Sequence, residues 1–232
     1  MPSAAKTYIS CIVIVGLTVL LPSAWFFRTD DGTRFAVFLL LALAASAMKV
    51  RLPRITGTYS LNFLIVLIAA ATLTFSETVL LAAAGALVQC CWRPKKRPTF
   101  PQVLFNVSAM ALTGAVCQVA YRQLVVTVLS GYEVSAMALV ATLYWTVNTG
   151  LVSGVLALLN EGSLHDIWRY WHLWSLPYYL AGATVAGAVS STIREGHWLT
   201  ALAMLPLMGL AWMSYRLWME RQFAEAPPVS AQ

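Results

Sequence analysis

Three asparagines interrupt stretches of chain that are otherwise oily: Asn62, Asn106 and Asn148. A carboxamide offers two donors and an acceptor, and in hydrocarbon each unpaired polar group is costly. Two roles are open to them. They can hold helices together, at about 0.6 to 2 kcal/mol per interhelical bond, or they can line a polar pocket or water-filled lumen. Around Asn148 the chain reads YWTVNTGLVSG, placing Gly150 and Gly154 four residues apart, a spacing that lets a neighbouring backbone come close. Ala183 and Gly187 repeat that spacing, and Thr149 and Ser153 can bond across such a contact.

A second set collects near predicted helix ends: Thr72, Thr74, Glu77, Gln118, Tyr121, Arg122, Glu133, Tyr144 and Trp145. Opposite charges beside amides and rings are the chemistry of a small-molecule site. Tyrosine and tryptophan at such positions are equally explained by the aromatic belt of a membrane protein. Taken as a binding site, the candidate ligand contacts are Asn62, Asn106, Asn148, Glu77, Gln118, Tyr121, Arg122, Tyr144 and Trp145.

The absences narrow the chemistry. All nine acidic residues fall in loops or at predicted span ends, and there is no HExxH, GxSxG or paired acidic motif. No enzyme, catalytic residue, metal or cofactor is therefore expected. With no charged residue near a midplane, ion-coupled transport is disfavoured. Cys11, Cys90, Cys91 and Cys117 match no metal or disulfide spacing and read as small hydrophobes. His165 and His172 lack a nearby third ligand.

The elements that must hold these residues are membrane helices. The chain has 232 residues, 59% of them hydrophobic and only 10% charged, with a mean hydropathy of +0.72. A soluble domain carries roughly 25% charged residues. The expected fold is all-α: a polytopic transmembrane helical bundle of about eight spans plus one interfacial amphipathic helix. The spans fall near residues 8–27, 35–49, 59–75, 77–93, 102–122, 134–159, 174–193 and 198–217. The first is longer than the apolar core of a signal peptide and is expected to be retained. The third and fourth are joined only by Ser76-Glu77. Pro177 sits harmlessly in a first turn, whereas Pro206 should kink the last helix. Residues 1–221 thus form one transmembrane domain, with a short cytoplasmic tail at 222–232.

Residues 162–175, GSLHDIWRYWHLWS, are too polar to span. Leu164, Ile167, Trp168, Trp171 and Trp174 recur at helical spacing opposite His165, Arg169 and His172, which predicts a helix lying in the headgroup layer. With both termini inside, eleven of the fifteen lysines and arginines fall in inner loops, as the positive-inside rule demands. Cations scattered over short loops are not a nucleic-acid footprint.

Together, the basic turn and hairpin LPRITGTYSLNFLIVLIAAATLTFSETVLLAAAGALVQCCWR, then FNVSAMALTGAVCQVAYR, the VNT segment, the EG before the Trp-rich helix and the closing SYRLWMER resemble a known arrangement. They resemble the membrane-spanning N-terminal sensory modules of bacterial GGDEF and HD-GYP signalling proteins, over about residues 50–221. The hairpin is also similar, more weakly, to substrate-binding S components of energy-coupling-factor transporters. The first resemblance implies a non-catalytic sensor in the cell inner membrane. Because the chain ends eleven residues after Arg221, its signal is expected to pass to a separate cytoplasmic or membrane protein. Membrane lipid, a small-molecule ligand and a second copy of the chain are the other expected partners. The alternatives are a substrate-capturing subunit of a membrane transporter and a structural subunit of a larger membrane complex.

Overall fold

Apolar runs punctuated by proline, glycine and charged turns fold into eight α-helices among the described residues. They are α1 (Ser3–Trp25), α2 (Gly32–Ala47), α3 (Asn62–Thr72), α4 (Phe75–Cys91), α5 (Phe100–Thr127), α6 (Glu133–Asn160), α7 (Leu164–Trp171) and α8 (Leu176–Arg194). The structure, a computed structural model, describes residues 1–51, 58–94, 97–127, 132–160, 162–171 and 173–203, with seven scattered positions from 206 to 217. The expected eighth span with Pro206 and the tail therefore lie largely outside the described residues, as does His172; a 3-10 turn occupies Trp198–Ala203.

All helices except α7 run alternately between two ends of the bundle. One, the turn end, carries the α3–α4 connection; there the Thr74 hydroxyl lies 3.5 Å from the carbonyl of Arg28, just past α1. At the other, the basic end, the Lys49 ammonium donates to the carbonyl of Trp92, joining the exits of α2 and α4. At the same end the Tyr8 hydroxyl of α1 donates to the Leu151 carbonyl of α6 at 3.2 Å.

α3 is the hub. Residues 62–70 are buried without a break, and the helix packs against α2, α4, α5, α6 and α8. Apolar chemistry on every side is what a fully enclosed helix requires. α1 lies outside, against α4, α5 and α6, and most of its apolar surface is uncovered by protein.

The expectation of eight long spans needs correction. Among the described residues three helices are long and apolar enough to cross a membrane: Ser3–Trp25, Phe100–Leu124 and Val134–Leu159. Gly32–Ala47, Asn62–Thr72 and Phe75–Cys91 are apolar but shorter. The third segment shrinks most. Its 11 residues make about 16 Å of helix, because Thr58–Ser60 is drawn instead into a strand, β2, pairing antiparallel with β1 (Lys49–Arg51). Val50 faces Tyr59 across that pair, and β-branched and aromatic residues suit a strand. These two three-residue strands apart, the elements among the described residues are helical, as the all-α expectation has it.

The α3–α4 turn also falls earlier than expected. Thr74, not Ser76-Glu77, makes it: its side chain takes the Glu77 N–H, and the Glu77 carboxylate takes the Thr74 N–H at 2.8 Å. This reciprocal capping box starts α4 at Phe75 and draws Ser76 and Glu77 into its first turn. Pro177 lies in the first turn of α8, as expected. α7 is the short, strongly amphipathic helix predicted within 162–175. Its Asp166 in the first turn and Arg169 in the last suit the helix dipole.

Candidate functional site

Two polar constellations stand out, one at each end. At the turn end, α3 terminates with carbonyls that need partners in a water-poor setting. Gln118 of α5, only 1% exposed, supplies one by donating its amide N–H to the Leu73 carbonyl at 2.9 Å. Its amide oxygen accepts from the Thr78 hydroxyl at 2.8 Å. The same hydroxyl lies 3.1 Å from the Ala69 carbonyl. Arg122, exposed at the rim, reaches Leu73 at 3.4 Å. Gln118 thereby ties α5 to the end of α3 and the start of α4. Glu77 is fully buried, and its Oε1 has no hydrogen-bond partner among the described residues. Beside this network the Arg194 guanidinium of α8 donates to the Tyr121 hydroxyl at 3.0 Å and also lies over that ring.

Of the expected second cluster, then, Glu77, Gln118, Tyr121 and Arg122 gather at the turn end, joined by Thr74. The Glu133 side chain lies outside what is described. Tyr144 and Trp145 belong elsewhere, because α6 runs away from the turn end and both side chains face partners nearer α7 and the start of α8. The Tyr144 hydroxyl donates toward the Met110 sulfur at 3.5 Å. Its ring joins Phe63 of α3 and Tyr179 of α8 at centroid separations of 6.3 and 5.7 Å.

Trp145 anchors the second constellation. Its indole N–H donates to the Ser175 hydroxyl, just before α8, at 3.0 Å. Its ring packs on that of Trp168 of α7, with centroids 4.8 Å apart. The Trp168 indole N–H in turn donates to the Thr149 hydroxyl at 2.9 Å, and Thr149 donates to the Trp145 carbonyl at 2.5 Å. Two indole donors are thus satisfied inside the protein, and α7 is latched to α6 and to the α7–α8 junction. None of these side chains titrates near neutral pH. The Thr149 and Ser175 hydroxyls are each engaged by an indole N–H.

The three asparagines do not share a layer. Asn62 is fully buried against Gly85 of α4, where a Cβ would collide with its amide, and neither amide atom has a partner among the described residues. Asn106 donates to the Cys90 sulfur at 3.2 Å. Cys90 lies five residues beyond Gly85, about 7.5 Å further along α4, so the two asparagines address different levels of one helix. Asn148 is half-buried and hydrogen-bonds neither of the others. Gly154 does allow a close approach, but by a side chain: the Tyr8 ring of α1 occupies the space above it, while Gly150 faces nothing within 4 Å. Ala183 and Gly187 are used as expected, with Gly187 against Val134 and Met137 of α6.

Sequence reasoning passed over Thr78, Trp168, Ser175 and Arg194 as members of these networks. The T-x-x-E pattern at 74–77 is the local signal of a capping box that the reading of the turn at Ser76-Glu77 left unused; nothing local pairs Thr149 with Trp168, nineteen residues on.

Two grooves between helices are mainly apolar. One of 390 Å³ lies between α4 and α5, and one of 410 Å³ between α1, α2 and α4. Neither is lined by any of the nine candidate ligand contacts.

Compared with known proteins, residues 23–176 match the MASE9 family model, from the end of α1 to the first residue of α8, more than half the chain. No curated protein and no solved structure matches.

Proposed function

Since the chain belongs to the MASE9 family of membrane-associated sensor domains, we propose that it is a non-catalytic sensory module that reads the lipid headgroup layer through α7 and hands the reading to a separate partner protein. The observation that carries this is the latch. An amphipathic helix suited to lie at headgroup depth is tied by Trp168, Thr149, Trp145 and Ser175 to α6 and to the entry of α8. A change in how deeply α7 sits must strain or release those bonds. α8 packs on α3 and α6, so the displacement has a path to the hub. The basic end then faces the cytoplasm, both termini are cytoplasmic, and the chain lies in an inner membrane. The short helices α2 to α4 complete the traversal, with α3 enclosed by its neighbours.

The test compares wild type and Trp168→Phe in vesicles of phosphatidylcholine with and without phosphatidylglycerol, read by hydrogen exchange over residues 142–152. Headgroup charge should alter wild-type exchange, and the variant, which keeps a ring but loses the donor, should lose that response. Exchange in wild type that ignores vesicle composition would refute the reading.

A small-ligand reading draws on the Asn62 amide and on Oε1 of Glu77, buried polar atoms without a partner among the described residues. A stoichiometric adduct of a few hundred daltons in native mass spectrometry would favour it, whether the chain serves a sensor or a transporter.

A further inference from the structure

The outward face of α4 forms a continuous apolar trough. Small Ala83 and Ala84 lie between Leu80 and Leu87, and α5 supplies the opposite wall with Phe100, Val103, Leu104 and Val107. The adjoining groove shares Leu80 and Ala84 and continues past Phe27, just beyond α1, and Phe35 of α2. At the basic end the trough opens beside the α4–α5 loop. There Trp92 is half exposed, and the Arg93 guanidinium lies 5.7 Å from the centroid of its ring. Arg93 itself takes φ 40°, in the left-handed region. That conformation costs a non-glycine residue free energy and commonly marks functional positions. Arg97 is also exposed there, and Lys49 from α2 reaches the Trp92 carbonyl.

This positive charge has no acidic counterpart in the neighbouring sequence. Between Asp31 and Glu133 the only acidic residue is Glu77, at the far end of α4, whereas residues 49–54 and 93–97 contain seven cations. A charged rim over an apolar trough calls for an amphiphile with an anionic head. We propose that the α4 trough is a binding site for one anionic phospholipid of the bilayer, its acyl chain along Leu80, Ala84 and Leu87 and its headgroup against Arg93 and Arg97. The indole of Trp92 sits at the boundary between the two, where amphipathic rings are favoured. The site shares no residue with the α7 latch.

The experiment uses the full chain in mild detergent, titrated with phosphatidylglycerol or phosphatidylcholine and read by native mass spectrometry. Wild type should retain one phosphatidylglycerol in preference to phosphatidylcholine. Arg93→Gln should weaken phosphatidylglycerol retention about fivefold, the size expected for one cation near an anionic lipid, and leave phosphatidylcholine unchanged. Ala84→Phe, which fills the trough, should abolish the preferential binding, while Val119→Phe, on the exposed face of α5 outside both grooves, should not. Equal retention of the two lipids by wild type, or undiminished phosphatidylglycerol binding in both Arg93→Gln and Ala84→Phe, would overturn the proposal. So would an acidic protein segment displacing the lipid stoichiometrically.

Discussion

Asn62 and Gln118 show how two amides in one bundle acquire opposite consequences. Gln118 has its donor and acceptor filled, by Leu73 and Thr78; Asn62 has neither filled among the described residues. Removing a partner from a satisfied buried pair strands the other group, whereas removing an unpartnered polar group relieves a penalty. Gln118→Leu should therefore lower stability in detergent by about 1–3 kcal/mol, and Asn62→Leu should be neutral or stabilising. Thermal unfolding of the two variants checks both signs. A stabilised Asn62→Leu protein that has lost a signalling or binding response would mark that amide as a ligand contact. Residue identity alone placed both amides inside the membrane domain. It was silent on which would be satisfied, because that depends on where the end of α3 meets α5.

At the scale of elements, the small-residue motif on α6 behaves asymmetrically. Gly154 receives Tyr8 and Gly150 faces open space. Gly150→Ala should accordingly be tolerated, or stabilise by up to about 1 kcal/mol through helix propensity. Gly154→Ala should push out Tyr8, break its bond to Leu151 and loosen α1 from α6. Melting temperatures, together with proteolytic release of α1, distinguish the pair, and equal effects would mean that Tyr8 is not the occupant. The helices themselves were largely readable from apolar runs, and so was α7 from its alternating indoles and cations. Their ends were not. The strand at Thr58–Ser60 and the early turn at Thr74 arise from pairing with Lys49–Arg51 and from a capping box, interactions that outweigh local hydropathy.

For the whole molecule, the alternation of helices between two ends and the concentration of cations at one of them lead to a topological prediction. In a cysteine-free background, Arg97→Cys should react with an impermeant maleimide only from the cytoplasmic face, and Asp30→Cys only from the opposite face. Labelling of both from one side would reverse or remove a passage. Sequence by itself determined the solvent: too few charges for water and enough apolar length for lipid. Those are additive properties of composition, and they survive any arrangement of the helices. Which helix becomes the hub, which polar groups meet and which apolar faces remain open were decided only by tertiary structure. Such contacts join residues as far apart as Tyr121 and Arg194, and no local pattern encodes a meeting that depends on how every intervening helix packs.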